Sequence, residues 1–132
     1  MTDNSNFINS LYDAFKRGEM KTILDSLDPS IEWASNGDAK IIPWGGRRSG
    51  VAGVASFFKS LADDLDFEIF EPRDFFDAGD TVIVIGRTRA RVKRQGGVFD
   101  CEWAHVFTVK NGKLARFREF YDTAAIVDAL SA

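Results

Sequence analysis

The sequence predicts an α+β fold in which helices come first and a largely antiparallel sheet follows. Apolar residues recur at helical spacing as far as residue 65, and from residue 67 the period changes to two. The dipeptide Asn111-Gly112 lies between two β-rich runs, which is the strongest short-range signal for a β-hairpin. Helices grouped at one end of a chain and antiparallel strands at the other are typical of the α+β class.

The N-terminal half carries the helical signals. Gly18 ends the first apolar stripe, Asp28-Pro29 ends the second, and a third stripe follows the Gly-rich segment before residue 51. The predicted elements here are helices at residues 5–17, 19–27 and 51–65, a short strand at 31–33 and a loop at 35–50.

The C-terminal half alternates like a meander of four strands. Turn residues at 77–80, 95–97 and 111–112 separate the runs. The predicted elements are a strand at residues 67–76 interrupted by Pro72, strands at 81–92, 98–109 and 113–121, and a closing helix at 123–130.

Composition limits the function classes. The chain has 132 residues, a formal net charge of −3 and one cysteine. This length fits a single domain over residues 1–132, and the net negative charge argues against a nucleic-acid or membrane partner. A lone cysteine cannot form an internal disulfide, and we see neither a signal peptide nor a membrane-spanning run. We therefore expect a cytoplasmic protein.

Alternation along the last two strands predicts a concave face that carries chemistry. Trp103 and His105 share one face of their strand, and Phe117, Glu119 and Tyr121 share one face of the next. The opposite faces carry the arginines, so the aromatic faces are predicted to turn inward. An antiparallel sheet can bury one such face and leave the other in solvent.

His105 and Glu119 are the candidates for acid/base work on that face. An unperturbed histidine titrates near neutrality, and a carboxylate among aromatic rings is expected to have a raised pKa. A pair of this kind suits proton transfer next to a carbonyl. The alternatives are that His105 is a satisfied core histidine and that Glu119 pairs with Arg116 or Arg118.

Aromatic residues are abundant enough to wall a cavity, since the chain has twelve phenylalanines. The predicted ligand-binding residues are Tyr12, Trp33, Trp44, Phe57, Phe58, Trp103, Phe117 and Tyr121. Ordinary core packing is the alternative for all of them. One histidine and one cysteine make no metal-ligand cluster, so neither a metal nor a cofactor is expected.

The other face of the sheet is predicted to meet solvent or a second copy of the chain. Arg87, Arg89 and Arg91 share it at strand spacing. The apolar residues expected beside them are Ile83, Ile85, Val106 and Phe120. A mixed apolar and basic sheet surface favours a homodimer formed through the sheet.

The whole chain resembles the ketosteroid isomerase-like superfamily, which includes the nuclear-transport-factor-two-like proteins, and within it the SnoaL-like polyketide cyclases. The matching segments are LYDAFKRGEMKTILDSLDPSIEW, RRSGVAGVASFFKSL, FFDAGDTVIVIGR and EWAHVFTVKNGKLARFREFYD, followed by the closing helix. The resemblance implies a cystatin-like cone, in which a curved, mixed or antiparallel sheet wraps around the N-terminal helices and encloses a hydrophobic pocket.

The resemblance also implies roles for three residues. Asp122, in RFREFYD, is similar to the acid/base aspartate of polyketide cyclases. His105 lies where steroid isomerases keep a protonated aspartate, and Glu119 lies where limonene epoxide hydrolases place one catalytic aspartate. Trp33 replaces the steroid-isomerase base, and the Arg-x-Asp pair of the epoxide hydrolases has no counterpart at residues 87–91. By alternation Asp122 falls on the face opposite Glu119 and Tyr121, so an inward carboxylate requires a bulge or turn at the end of the strand. Asp122 also suits the alternative role of N-cap for the closing helix.

Three functions follow as expectations. The first is a cofactor-independent cyclase or isomerase, of isomerase or lyase type, in which Asp122 removes a proton next to a carbonyl and His105 polarises the oxygen. The second is a non-catalytic protein that binds an apolar small molecule. The third is a dimeric interaction module, which is compatible with either of the others.

Overall fold

A computed structural model describes residues 2–132. Four helices and six strands follow one another in this part of the chain. Their bounds are α1 Asp3–Lys16, α2 Met20–Asp25, β1 Leu27–Ser35, β2 Gly46–Ser49, α3 Gly50–Asp64, β3 Leu65–Ala78, β4 Thr81–Val92, β5 Val98–Lys110, β6 Lys113–Tyr121 and α4 Thr123–Leu130.

The six strands form one mixed sheet in the order β2-β1-β6-β5-β4-β3. Neighbouring strands are antiparallel except β1 and β6, which run parallel. Helix α3 packs against β1, and α1 contacts β3 and β4. The curved sheet with helices on its inner side confirms the predicted α+β fold.

The hairpin prediction at Asn111-Gly112 is confirmed. Both residues have positive φ, 52° for Asn111 and 73° for Gly112, as a two-residue turn of the primed type requires. Pairing of β5 with β6 starts at this turn with Lys110 opposite Lys113, and a one-residue register shift between Thr108 and Val109 then brings His105 opposite Glu119 and Trp103 opposite Tyr121.

The first half of the sheet differs from the prediction in three ways. Strand β2 lies inside the predicted loop, and β1 begins at Leu27 and continues to Ser35 instead of spanning residues 31–33. Strand β3 continues through Pro72. That strand is at the edge of the sheet, where a missing N–H is tolerated, and its register shifts between Pro72 and Asp74.

Gly86 on β4 lies in close contact with the side chain of Trp103 on β5 and the backbone of Glu71 on β3. A Cβ on Gly86 would lie 2.4 Å from the indole of Trp103 and 2.6 Å from the carbonyl oxygen of Glu71. Glycine is therefore required for β4 to pass beneath the Trp103 ring. The helices of residues 2–132 include none with both the length and the apolar character needed to cross a bilayer.

Candidate functional site

A cavity of about 120 Å³ lies between the helices and the inner face of the sheet. Its wall is mostly apolar, and ten of the eleven predicted site residues contribute to it. They are Tyr12, Trp33, Trp44, Phe57, Phe58, Trp103, His105, Phe117, Glu119 and Tyr121.

His105 joins a helix to the last strand through its two ring nitrogens. Nδ1 lies 2.7 Å from Tyr12 Oη on α1, and Nε2 lies 3.2 Å from Glu119 Oε2 on β6. The side chains of His105 and Glu119 are 8% and 13% exposed. Both nitrogens are thus engaged by neighbouring side chains at the floor of the pocket.

The second oxygen of Glu119 is held by a serine on β1. Ser35 Oγ donates to Glu119 Oε1 over 2.7 Å and lies 2.9 Å from Tyr121 Oη. Ser35 is 4% exposed and pairs directly with Glu119 in the parallel β1–β6 register. The resulting chain of contacts runs from Tyr12 through His105, Glu119 and Ser35 to Tyr121.

Burial decides which of these groups carry protons. Desolvation lowers the pKa of His105, although the neighbouring Glu119 opposes the shift. Desolvation, with the charge of Glu119 adding to it, raises the pKa of Tyr12 well above its usual range and that of Tyr121 to about 12. A neutral imidazole that accepts a hydrogen bond from Tyr12 at Nδ1 carries its proton on Nε2 and must donate from there. His105 Nε2 and Ser35 Oγ therefore both donate hydrogen bonds to the carboxylate of Glu119.

Aromatic rings hold the imidazole in place. Trp103 stacks on His105 with centroids 3.8 Å apart, and Tyr12 stacks on it at 5.9 Å. The Trp103 indole donates to Thr88 Oγ1 over 2.7 Å. These contacts fix the ring orientation that the Nε2–Glu119 contact needs.

Asp122 lies outside the pocket wall, contrary to the inward orientation that its predicted acid/base role requires. Its side chain is exposed and accepts a hydrogen bond from the Ala125 backbone N–H over 3.0 Å, as the N-cap of α4. The strand does not bend at Tyr121 to turn the carboxylate inward, because helix α4 begins directly after it. Asp122 therefore adopts the alternative arrangement expected from the sequence.

Glu119 faces the pocket and forms no ion pair with Arg116 or Arg118. Residues 2–132 also contain no group of three or more histidine, cysteine, aspartate or glutamate side chains arranged to hold a metal ion.

Sequence reasoning missed Ser35. The strand was predicted to end at Trp33, yet Ser35 follows Trp33 at the spacing of two that keeps side chains on one face. A predicted strand two residues longer would have placed the serine beside the pocket. No local sequence pattern predicts its pairing with Glu119, because the two residues are 84 positions apart and meet only through the parallel contact of β1 with β6.

The outer face carries the arginines as predicted. Arg87 forms a two-bond ion pair with Asp100 across β4 and β5, and Arg89 pairs with Glu68 on β3. These exposed pairs contribute little stability each. They explain the basic stripe without a nucleic-acid ligand.

Known proteins share this fold and its sequence pattern. The family model of the SnoaL-like domain matches residues 8–117, and no curated protein matches the chain. An NTF2-like protein of Burkholderia thailandensis E264 is 30% identical over 98% of both chains, with a TM-score of 0.87. An NTF2-like protein of Burkholderia xenovorans LB400 is 28% identical over 96% of this chain and 95% of its own, with the same TM-score of 0.87.

TerC, whose crystal structure was determined with polyporic acid, is also similar. It is 25% identical over 99% of this chain and 100% of its own, with a TM-score of 0.87. The similarities in sequence and structure agree, and the family match extends over well more than half of the chain. The chain belongs to the SnoaL-like domain family.

Proposed function

We propose that this protein is a cofactor-independent isomerase or cyclase that moves a proton next to the carbonyl group of an apolar, ring-containing ligand. The observation that carries the proposal is the Glu119 carboxylate, held at the floor of an apolar cavity by His105 and Ser35. A carboxylate fixed by two donors in a dry pocket is preorganised as a general base.

In the proposed step Glu119 removes a proton from the carbon next to the carbonyl. The C–H electron pair becomes the enolate double bond, and the carbonyl oxygen gains the negative charge. The proton, now on Glu119, returns to another carbon of the same ligand in an isomerisation. In a cyclisation, the enolate carbon attacks a second carbonyl, and the proton moves to the new alkoxide.

Tyr121 is the proposed donor to the developing oxygen. Its phenol lines the pocket and stays protonated because burial raises its pKa to about 12. Since Ser35 Oγ gives its one proton to Glu119, the phenol donates to Ser35 Oγ in this structure, and the proposed step requires its O–H to turn from Ser35 to the ligand oxygen. His105, which the sequence suggested as this donor, has both nitrogens occupied. His105 and Ser35 are therefore proposed as positioning residues, and Asp122 has no role in the step.

The ligand class follows from the wall of the pocket. Aromatic and aliphatic side chains surround the carboxylate, so a flat, largely apolar carbonyl compound fits better than a charged one. TerC, a relative, was crystallised with polyporic acid. We use that compound as one binding probe.

The test follows 2-tetralone, a small ring ketone with acidic hydrogens next to its carbonyl. Binding of 2-tetralone and polyporic acid is measured by NMR, and exchange of the ketone hydrogens in D₂O is timed with and without protein. Catalysed exchange supports the proposal. Saturable binding without faster exchange would contradict it and favour the non-catalytic binding protein.

The outer sheet face supports a second proposal, a homodimer formed through the sheet. Phe76 and Phe120 are 54% and 45% exposed on this face. Ile83 and Val106 continue the register from Phe76, and Phe120 pairs with Ala104, two residues from Val106. Exposed apolar surface of this kind marks an interaction site. We expect a dimer by light scattering and a monomer for Phe120→Asp. A monomeric wild-type protein would contradict this proposal and leave the pocket chemistry untouched.

A further inference from the structure

One hydrogen-bond donor in a pocket-lining residue has no partner. The indole Nε1 of Trp33 is buried, and none of residues 2–132 offers it an acceptor. Trp33 is 5% exposed and belongs to the wall of the cavity. A buried N–H without a partner costs about 1–3 kcal/mol, so a folded chain rarely keeps one without a reason.

The packing around Trp33 supplies no substitute acceptor. Its ring stacks on Phe117 with centroids 4.0 Å apart, and Phe57 and Phe58 meet it at 5.3 and 5.6 Å. All three neighbours are hydrocarbon rings. None of these three rings can accept the hydrogen bond that the indole N–H offers.

Trp103 provides an internal comparison. Its indole is equally buried at 5% exposure, yet it donates to Thr88 Oγ1. Two other buried N–H groups lack acceptors, Arg48 Nη1 and Arg118 Nε, but neither arginine lines the pocket. Trp33 thus combines a place in the pocket wall with an unused donor.

We propose that Trp33 Nε1 is a specificity-determining group that donates a hydrogen bond to an oxygen of the bound ligand. The ligand class is an oxygenated ring compound, a ketone or quinone in place of a plain hydrocarbon. The inference rests on the pocket as the ligand site of the proposed function and does not need the proton transfer.

The experiment compares 2-tetralone with tetralin, the hydrocarbon of the same ring frame. Dissociation constants are measured for the wild-type protein, for Trp33→Phe and for Val54→Ala, which removes two methyl groups from the core outside the pocket wall and keeps the donor. The indole N–H signals of Trp33 and Trp103 are followed by NMR in the wild-type protein. This second readout needs no variant and stays valid if Trp33→Phe does not fold.

The wild-type protein is expected to prefer the ketone by about tenfold, the value of one net hydrogen bond. Trp33→Phe should remove the preference and Val54→Ala should retain it. The Trp33 N–H signal should shift with 2-tetralone and not with tetralin, while that of Trp103 stays in place.

Two results would count against the proposal, and they differ in meaning. Equal affinity for both compounds, with an unmoved Trp33 signal, overturns the role of Trp33 alone. Failure of both compounds and of polyporic acid to bind at all overturns the pocket as the ligand site, and with it the proposed function.

Discussion

His105 Nε2 and Glu119 Oε2 lie 3.2 Å apart, directly opposite each other on strands β5 and β6. One hairpin brings them together, and their pairing depends on the Asn111-Gly112 turn and on the one-residue register shift between Thr108 and Val109. A slip of one residue would move Glu119 to the outer face of the sheet. The geometry of the candidate site is therefore set jointly by the turn and by this irregularity in the hairpin.

We expect His105 to make the stability of the fold depend on pH. Burial lowers its pKa in the folded state, so below the unfolded value of about 6.5 the unfolded chain binds the proton more readily. The free energy of unfolding should be highest above that value and decrease as the pH falls through it. Urea denaturation at pH values from about 8 to about 5 measures the change.

The variant His105→Gln is the control for this pH dependence. It should be less stable overall, yet its free energy of unfolding should change less across the same range. Identical slopes for the variant and the wild-type protein would assign the pH dependence to the carboxylates.

Both tyrosines of the chain should remain protonated at a pH where free tyrosine is half ionised, about 10. Burial raises the pKa of Tyr12 and that of Tyr121, the latter to about 12. The free energy of unfolding should therefore fall as the pH rises above about 10. Ultraviolet absorbance should show phenolate only in the urea-unfolded protein at that pH. A half-ionised signal in the folded protein would contradict the burial of the pair.

Gly86→Ala should destabilise the fold by about 1–3 kcal/mol, the usual cost of overpacking a core. The added Cβ would lie 2.4 Å from the Trp103 indole. Gly53→Ala is the matched control, because its added Cβ meets only Arg48, whose nearest atom is Cβ at 3.3 Å, and alanine favours the helix. Thermal and urea unfolding compare the two. Equal stabilities would show that Trp103 can move away from β4.

Asp122→Ala should cost about 0.5–2 kcal/mol through the loss of the α4 N-cap. Asp122→Asn should keep most of the stability, because asparagine also caps helices. Urea denaturation measures both variants. An unchanged free energy of unfolding for Asp122→Ala would contradict the capping role that the Ala125 contact indicates.

The sequence predicted best the elements with strong periodicity and local turn signals. The strands from residue 81 onward and the inner face of Trp103, His105, Glu119 and Tyr121 follow from alternation and one Asn-Gly turn. Strand β2 has only four residues and no apolar alternation. It forms because β1 offers an edge to pair with, which no local pattern records.

Asp122 shows where residue parity and family resemblance disagreed. Alternation placed its side chain on the outer face, whereas the resemblance to polyketide cyclases implied an inward carboxylate. The structure agrees with alternation, since the residue ends the strand and caps α4. The inward carboxylate next to His105 is Glu119, three residues earlier in the chain.

The central claim is that Glu119, and not Asp122, is the base. The most direct measurement is the rate at which 2-tetralone exchanges its acidic hydrogens in D₂O with the wild-type protein, Glu119→Gln and Asp122→Asn. We predict that Glu119→Gln loses about 100-fold or more of the catalysed rate, as expected for a general base, while Asp122→Asn retains it. Loss of exchange in Asp122→Asn with retention in Glu119→Gln, or no catalysed exchange by the wild-type protein, would contradict the account.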